Sequence, residues 1–353
     1  MLAGYILDAT RSSYPLDSLC NLYLNISAED ESVMLSKLPD LKSVLESKME
    51  QNGQTDLYRT IELPLCPVLA GMEYEGFAVD CDFLRRFSEK ASVTIDELKQ
   101  KIYDFAGHEF NVNSTQQIGT VLFDELGLPK GKKTKSGYST NSDELEKLSR
   151  YHPIADLILE YRKIMKLKST YADGLLAKTE KDGRIHTSFT QTVTATGRIS
   201  SVEPNLQNIP IRTEIGKQFR HAFIPRPGWK LIDADYSQIE LRILAHCAHD
   251  ETMINAFADG TDIHTLTASE IFKIPIVMVS PEMRSRAKAV NFGIVYGIGE
   301  FSLAKDLGIS RKEAGAYIQG YLDTYSGVRK YMDEITETAQ SNGYVETLFG
   351  RRR

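Results

Sequence analysis

The chain contains 353 residues, of which 42% are hydrophobic and 25% are charged, and its formal net charge is −6. This composition is typical of a soluble globular protein with roughly two or three domains. It argues against a membrane protein, because no stretch approaches the run of about 20 apolar residues that a spanning helix needs. The four scattered cysteines form no Cys-x-x-Cys pair, so we expect reduced thiols in a cytoplasmic protein and no zinc site.

The first half of the chain is predicted to be mainly helical after a polar start. Residues 1–60 are polar, and we expect them to be irregular. A short strand is expected in EYEGFAVD, and a long helix is predicted from Cys81 to about Phe105. A further helix is expected to begin at Ser114, a favourable N-cap residue, and to end before Gly127.

A basic loop, KGKKTKSGYST, follows these helices. Residues 130–170 contain ten Lys or Arg against five Asp or Glu, although the whole chain is acidic. Two interpretations fit this pattern: a solvated helical face with a mobile loop, or a flexible element that binds a duplex backbone without reading its sequence. The net charge of the chain does not decide between them, because a phosphate backbone responds to a local patch.

From Arg184 the pattern changes to strands and then, after Glu240, to helices. The stretch RIHTSFTQTVTATGRISS is rich in β-branched residues, and Leu231-Ile232 is predicted to be a short buried strand that runs into Asp233 and Asp235. This order favours an α+β fold over one doubly wound sheet.

Asp235 has two interpretations at the end of that strand. A carboxylate held at the mouth of a cleft suits a hard cation such as Mg²⁺. The alternative is that Asp235 or Ser237 only caps the helix that follows.

The stretch RSRAKAVNFGIVYG places Arg284, Lys288, Phe292 and Tyr296 four residues apart. A step of four turns a helix by about 400°, so these side chains form one slowly drifting stripe with two cations and then two aromatic rings. Such a stripe suits a ligand with an anionic end and a flat end, such as a nucleoside triphosphate. The rings alone are also compatible with core packing, but two cations are costly to bury without anionic partners.

The helix that carries the stripe has a clear predicted start. Ser280 is a favourable N-cap residue and Pro281 would occupy the first helical position.

Four motifs occur in a fixed order: TATGRISSVEPNLQNIPIR, DYSQIELR, DIH and the Arg-x₃-Lys-x₃-Phe-x₃-Tyr-Gly stripe. Together they make the chain resemble family A DNA polymerases of the bacterial DNA polymerase I type. DYSQIELR is similar to the first palm motif of that family, and the stripe is similar to its fingers helix. The likeness covers nearly the whole chain.

The resemblance implies a mainly helical α+β fold of the right-hand polymerase type, truncated at both ends. We expect four regions: a remnant of a degenerate 3′–5′ exonuclease-like domain (1–60), a thumb-like region (61–183), a partial palm (184–240) and partial fingers (241–353). The family's His-Asp-Glu motif, with the second metal-binding acid, would lie beyond Arg353. The letters His249-Asp250-Glu251 stand elsewhere, and we expect them to form a solvated helix end that binds no metal.

The resemblance also assigns roles around the nucleotide. Asp235 and the Tyr236 carbonyl would bind metal, and Lys288 would act as general acid for the departing pyrophosphate. Glu240 would exclude a ribose hydroxyl. The expected nucleotide-binding residues are Tyr236, Gln238, Glu240, His264, Arg284, Lys288, Phe292 and Tyr296.

The expected DNA contacts fall into two groups. Arg198, Asn205 and Gln207 resemble residues that touch minor-groove acceptors at the primer terminus, which are nearly alike for every correct base pair. Lys132 and Lys133, in the basic loop, would contact the DNA backbone.

The function implied by the resemblance is template-directed DNA synthesis with two Mg²⁺ ions, in replication or repair. The expected partners are primer–template DNA and deoxynucleoside triphosphates, and we expect a monomer with no membrane association. One alternative is that this chain binds primer–template without extending it, because the second metal-binding acid is missing. Another is a phage-type single-subunit RNA polymerase, against which Glu240 argues.

Overall fold

The computed structural model of the chain describes residues 1–27, 31–131, 133–134, 137–210 and 214–353. Lys132, an expected DNA contact, lies outside the described residues. The chain divides into two compact units, Met1–Leu231 and Ile232–Arg353. The finer division into thumb, palm and fingers stays a prediction.

The first unit is mainly helical. Its α-helices are α1 (Leu2–Leu7), α2 (Leu16–Leu24), α3 (Glu31–Ser36), α4 (Leu38–Gln51), α5 (Leu63–Glu75), α6 (Cys81–Ala106), α7 (Thr115–Thr120), α8 (Ser142–Leu148), α9 (Ile154–Lys166), α10 (Gly174–Lys178) and α11 (Glu214–Phe219). π-Helical turns cover Leu57–Glu62, Val121–Glu125 and Leu167–Asp173, and a 3₁₀ turn covers Arg220–Ala222.

The expectation that residues 1–60 are irregular is wrong. Helices α1, α2 and α4 pack together around buried Tyr5 and Tyr14. Leu41, Leu45 and Met49 are the buried residues of α4. Their spacing of four residues places them on one face, and burial of that face outweighs the polar remainder of the helix.

The long helix and the Ser114 cap are confirmed. Helix α6 runs from Cys81 to Ala106, and it begins where the Asp80 carboxylate accepts a hydrogen bond from the Phe83 N–H at 2.8 Å. The Ser114 side chain accepts from the Gln117 N–H at 3.3 Å. The inner face of α6 packs against α9, and buried residues of α7 and α8 belong to the same apolar cluster.

Strands in the described part of the first unit are short and pair in twos. They are β1 (Phe77–Ala78), β2 (Lys133–Thr134), β3 (Gly137–Tyr138), β4 (Arg184–Ile185), β5 (Ser188–Thr190) and β6 (Ser200–Val202). The antiparallel pairs are β1 with β4, β2 with β3, and β5 with β6. The predicted strand at EYEGFAVD is therefore confirmed as β1.

The second unit is helical. Its elements are α12 (Ile239–Cys247), α13 (Glu251–Ala258), α14 (Ile263–Phe272), α15 (Pro281–Val295), α16 (Glu300–Leu307), α17 (Arg311–Thr324) and α18 (Ser326–Asn342), with a 3₁₀ turn at Ile276–Met278. One apolar cluster joins these helices, with Leu241, Met253, Val290 and Tyr321 fully buried.

The predicted buried strand at Leu231-Ile232 is wrong. Leu231 is 54% exposed and Ile232 is 91% exposed, and neither belongs to a strand. A strand is stabilised by hydrogen bonds to a neighbour, and no described strand pairs with these residues. In the described part of the chain, no helix has both the length and the apolar character that crossing a bilayer requires.

Candidate functional site

Helix α15 carries the stripe, and its start is as predicted. The Ser280 hydroxyl accepts a hydrogen bond from the Met283 N–H at 3.2 Å, and Pro281 is the first helical residue. The buried face of the helix consists of Ala287, Val290, Asn291, Gly293 and Ile294. The stripe lies on the other side, where Lys288 is exposed, Arg284 and Phe292 are half-buried, and Tyr296 is 60% exposed at the helix end.

Arg284 is held by a carboxylate from the neighbouring helix. Its Nε and one terminal nitrogen donate to the two oxygens of Asp262 at 3.2 and 2.6 Å. The same carboxylate caps α14, because it accepts from the Thr265 N–H at 2.7 Å and from the Thr265 hydroxyl at 2.9 Å. This fork fixes the direction of the guanidinium and leaves its other N–H donors for a second anion.

The charge of Asp262 is stabilised in the folded protein. Burial raises the pKa of this carboxyl, but the hydrogen bonds from Arg284 and Thr265 lower it more, to about 2. Asp262 is therefore ionised at neutral pH and keeps Arg284 in place.

His264, on α14, is buried beside the stripe, with 2% of its surface exposed and its ring 5.7 Å from the Phe292 ring. The Asn291 amide nitrogen lies 3.0 Å from His264 Nδ1. An amide nitrogen only donates, so Nδ1 accepts and the ring proton is on Nε2. Burial lowers the pKa of His264, and the Asp262 carboxylate opposes this effect while the Arg284 and Lys288 cations add to it. The ring is therefore neutral at pH 7.

Asn291 is itself fixed by a buried polar chain. Its side-chain oxygen lies 3.2 Å from the Thr267 hydroxyl, which lies 2.9 Å from the Tyr325 hydroxyl. Asn291, Thr267 and Tyr325 are fully buried, and the Thr267 hydroxyl also lies 2.7 Å from the Ile263 carbonyl oxygen, so these buried polar groups satisfy one another without water.

The aromatic half of the stripe is also connected. Lys288 Nζ lies 5.9 Å from the centre of the Phe292 ring, and that ring lies 5.7 Å from the His264 ring. The Tyr296 hydroxyl donates to both Glu240 oxygens, at 2.8 and 2.9 Å. The structure thus places Glu240, on α12, against the last aromatic residue of the stripe.

The two glycines near the end of α15 have different structural roles. A Cβ on Gly293 would lie 2.5 Å from a methyl carbon of Ile298, so the helix and the following turn approach too closely for a side chain. Gly297 has φ +69°, a left-handed conformation that ends the helix.

The segment with Asp235 is exposed and has no regular structure. Asp233, Asp235 and Tyr236 are all exposed, Tyr236 by 79%. The N-cap of α12 is Gln238, in a left-handed conformation with φ 54° and no side-chain capping bond. The alternative that Asp235 or Ser237 caps this helix is therefore wrong. Within the described ranges, no group of three or more His, Cys, Asp or Glu is arranged to hold a metal ion.

The expected primer-terminus residues lie in the first unit, on the chain that follows β5. Arg198 is exposed in the loop between β5 and β6, and Asn205 and Gln207 are exposed just after β6. Gln207 fastens this segment to the loop, since its amide nitrogen donates to the Ile199 carbonyl at 3.0 Å. Lys133 is exposed in β2 of the basic hairpin.

The expectation of a solvated helix end at His249-Asp250-Glu251 is wrong for Asp250. This carboxylate is 4% exposed, and it accepts from the Met253 N–H and the Gly327 N–H, each at 3.0 Å. It caps α13 and ties down the start of α18, because a buried acid needs such donors.

Asp262 and Asn291 contribute to the site, and no role was predicted for either. Asp262 stands two residues before His264 at a helix start, so its capping position is a usable sequence signal. Asn291 gives no such signal, because a polar residue on the buried face of a helix has meaning only once its partner is known.

Comparisons with known proteins agree with these motifs. The family described as DNA polymerase family A matches residues 81–353. The chain belongs to DNA polymerase family A. DNA polymerase I of Caldicellulosiruptor bescii is 49% identical to this family A chain, and that of Bacillus subtilis is 46% identical; each match covers the whole chain.

A solved structure is also similar to this family A chain over its whole length. It is described as the POL domain of Pol1 from M. smegmatis in complex with DNA primer-template and dNTP, with 40% identity and a TM-score of 0.91. The match covers 63% of that structure. The chain spans 42% and 43% of the length of the two curated relatives. The expected polymerase-type, mainly helical α+β fold is confirmed.

Proposed function

We propose that this chain carries out template-directed DNA synthesis, adding deoxynucleoside triphosphates to a primer 3′ end in DNA replication or repair. The observation that carries the proposal is the stripe on α15, which faces outward and presents cations at one end and aromatic rings at the other. A surface of this kind matches a triphosphate joined to a sugar and base. The family match and the neighbour's printed partners, primer-template and dNTP, support the same reading over binding alone.

The cationic end would hold the triphosphate. Arg284 is fixed by Asp262 through two of its N–H donors, and Lys288 lies one turn further along and is exposed. His264, with its proton on Nε2, would donate to a phosphate oxygen without adding charge. Phosphoryl transfer depends mainly on such charge neutralisation and alignment.

The exposed acid Asp235 and the Tyr236 carbonyl would hold a magnesium ion. Mg²⁺ commonly takes only one or two protein carboxylates and fills its remaining positions with water and substrate phosphates, so a three-acid cluster is not required. Bound Mg²⁺ would lower the pKa of the primer 3′-hydroxyl and neutralise charge on the phosphates. Asp235 would orient the primer end, and Lys288 Nζ would give a proton to the departing pyrophosphate oxygen.

The aromatic end would select the nucleotide. Phe292 would pack against its sugar and base, and Tyr296 would close the pocket near the templating base. The Tyr296 hydroxyl holds the Glu240 carboxylate, which would then stand where a ribose 2′-hydroxyl has to fit. This assignment favours a DNA polymerase over a single-subunit RNA polymerase.

The test is nucleotide-dependent binding of a primer–template whose primer ends in a dideoxynucleotide. We expect the chain with Mg²⁺ to bind it several-fold more tightly when the dNTP complementary to the templating base is added, and not with the other three. Arg284→Ala should abolish the gain and leave binding without dNTP unchanged. Equal gains with all four dNTPs, or no gain, would overturn the proposal.

A further inference from the structure

The loop between β5 and β6 is attached to the N-terminal helices as well as to its own strands. The Tyr5 hydroxyl, on α1, donates to the Thr194 carbonyl at 2.7 Å. Tyr5 is fully buried, so its hydroxyl has a fixed direction. The contact joins residues 189 positions apart in the chain.

Thr194 also forms a hydrogen bond to the backbone of Arg198. Its hydroxyl donates to the Arg198 carbonyl at 2.6 Å. Two hydrogen bonds therefore link a buried tyrosine to the backbone of the exposed arginine.

A second attachment holds the start of the same loop. The Gln191 amide nitrogen donates to the Glu62 carbonyl at 3.1 Å and to a Glu62 side-chain oxygen at 2.9 Å. The Gln191 side-chain oxygen accepts from the Cys66 thiol at 3.3 Å. The middle of β5 is fixed similarly, because the Phe189 N–H donates to a Glu73 side-chain oxygen at 2.5 Å. Residues before α6 thus fasten this loop along its first half.

A buried tyrosine hydroxyl needs some acceptor, so one contact alone would have a purely structural explanation. Tyr14, in the same apolar cluster, is an example of a buried tyrosine whose hydroxyl bonds have a purely structural role. Its hydroxyl donates to the Asp8 and Arg11 carbonyls at 2.6 and 3.2 Å, within its own segment. Tyr5 instead reaches the one loop that carries Arg198.

We infer that Tyr5 and Thr194 are positioning residues that hold Arg198 for contact with the primer-terminal base pair. This inference rests on the proposed function, in which Arg198 touches minor-groove acceptors of that pair. It gives the helices of residues 1–60 a role in DNA synthesis: they support the loop that checks the primer end. A loop held in place loses less conformational freedom on binding than a mobile one.

The test uses the whole 353-residue chain and measures its affinity by fluorescence anisotropy for primer–templates with a matched or a mismatched primer terminus. The readout is the ratio of the two dissociation constants. We expect Tyr5→Phe to reduce this ratio about fivefold, the scale of one lost neutral hydrogen bond. Thr194→Val, which removes only the second hydrogen bond, should act in the same direction without touching the buried core.

Two controls separate positioning from stability. Tyr14→Phe removes a buried hydroxyl from the same cluster and should leave the ratio unchanged, even if it lowers the melting temperature as much as Tyr5→Phe. In the Arg198→Ala background, Tyr5→Phe should have no further effect, because the two changes remove one interaction.

Two contrary results would distinguish failure of the positioning role from failure of the proposed DNA contact. A normal ratio in Tyr5→Phe and Thr194→Val, with a reduced ratio in Arg198→Ala, would overturn the positioning role and leave the proposed function intact. An unchanged ratio in Arg198→Ala would overturn the assigned DNA contact and the inference with it.

Discussion

Single side chains in the second unit combine an internal partner with a side that is open to solvent. Arg284 is paired with Asp262, Lys288 lies near the Phe292 ring, and Tyr296 is bonded to Glu240. Each partner limits the rotamers of the exposed group. Because these side chains are already ordered in the folded protein, less conformational entropy is lost when a nucleotide binds.

Asp262→Asn should remove the charge from this pair and retain a capping oxygen for α14. The pKa of Asp262 is lowered from 3.8 to about 2, so its contribution to stability is complete above the unfolded value and disappears as pH falls through the folded value. The side chains of Asp262 and Arg284 are 37% and 43% exposed, so solvent weakens their attraction. We therefore expect Asp262→Asn to lower the free energy of unfolding by only about 1 kcal/mol at neutral pH.

Urea unfolding between about pH 2 and pH 7 measures this effect. The stability difference between Asp262→Asn and the parent should narrow toward the acid end. Asp333→Asn, at an exposed position on α18, is the control and should leave the stability at neutral pH unchanged. A difference that stays constant down to the lowest pH would contradict the assigned pKa of Asp262.

Glu240→Ala should relax the choice of sugar. Removing this carboxylate opens the space expected for a 2′-hydroxyl, so incorporation of ribonucleotides relative to deoxynucleotides should rise by about tenfold or more. Tyr296→Phe is the matched variant, since it keeps the ring and removes only the bond that orients Glu240. It should raise ribonucleotide incorporation less than Glu240→Ala does. No rise in either variant would mean that Glu240 does not exclude ribose.

At the scale of elements, helices with a local signal were predicted and contacts between distant segments were not. Helix α15 and its outward stripe follow from Ser280, Pro281 and a regular spacing of four. The strand expected at Leu231-Ile232 is absent from the described structure because strand formation depends on a partner, which two apolar residues cannot specify.

The same distinction applies to the candidate site: residues that share one helix were predicted from the sequence, and their partners were not. The residues of the stripe and their outward direction could be read from the sequence, because they share one helix. The partners Asp262 and Glu240 come from the start of α14 and from α12, and Asn291 comes from the buried face of α15. Their pairing depends on how α12, α14 and α15 pack, and spacing along the chain does not contain that information.

Asp250→Ala should destabilise the junction between α13 and α18. The carboxylate is buried and accepts two backbone N–H bonds, so its loss leaves both helix starts without an acceptor. We expect a loss of about 3 kcal/mol in chemical unfolding, the scale of hydrogen bonds to a charged group. The neighbouring Glu251→Ala, at an exposed site, should cost far less. Equal costs would mean that Asp250 is solvated, as first expected.

At the scale of the whole molecule, the residues proposed to bind DNA and nucleotide are divided between the two compact units. The expected DNA contacts Lys133, Arg198, Asn205 and Gln207 belong to the first unit, and the stripe and Asp235 belong to the second. The positive charge is concentrated as well, because residues 130–170 of the first unit are net positive although the whole chain has a net charge of −6. DNA binding should therefore depend on this local patch and be sensitive to salt.

Lys133→Ala should weaken primer–template binding equally for different sequences. Loss of one phosphate contact should reduce the slope of log affinity against log salt concentration by about 1. Lys42→Ala, which removes an exposed lysine of α4, is the control and should leave the slope unchanged. Equal slopes for the parent and Lys133→Ala would remove this lysine from the DNA interface.

Primer extension by the 353-residue chain, with Mg²⁺ and all four deoxynucleotides, tests DNA synthesis most directly. A gel shift on the same primer–template and the variant Asp235→Ala are run in parallel. We predict that the chain extends the primer according to the template and that Asp235→Ala binds the DNA without extending it. Binding without extension by the parent chain, or equal extension by Asp235→Ala, would contradict the proposed function.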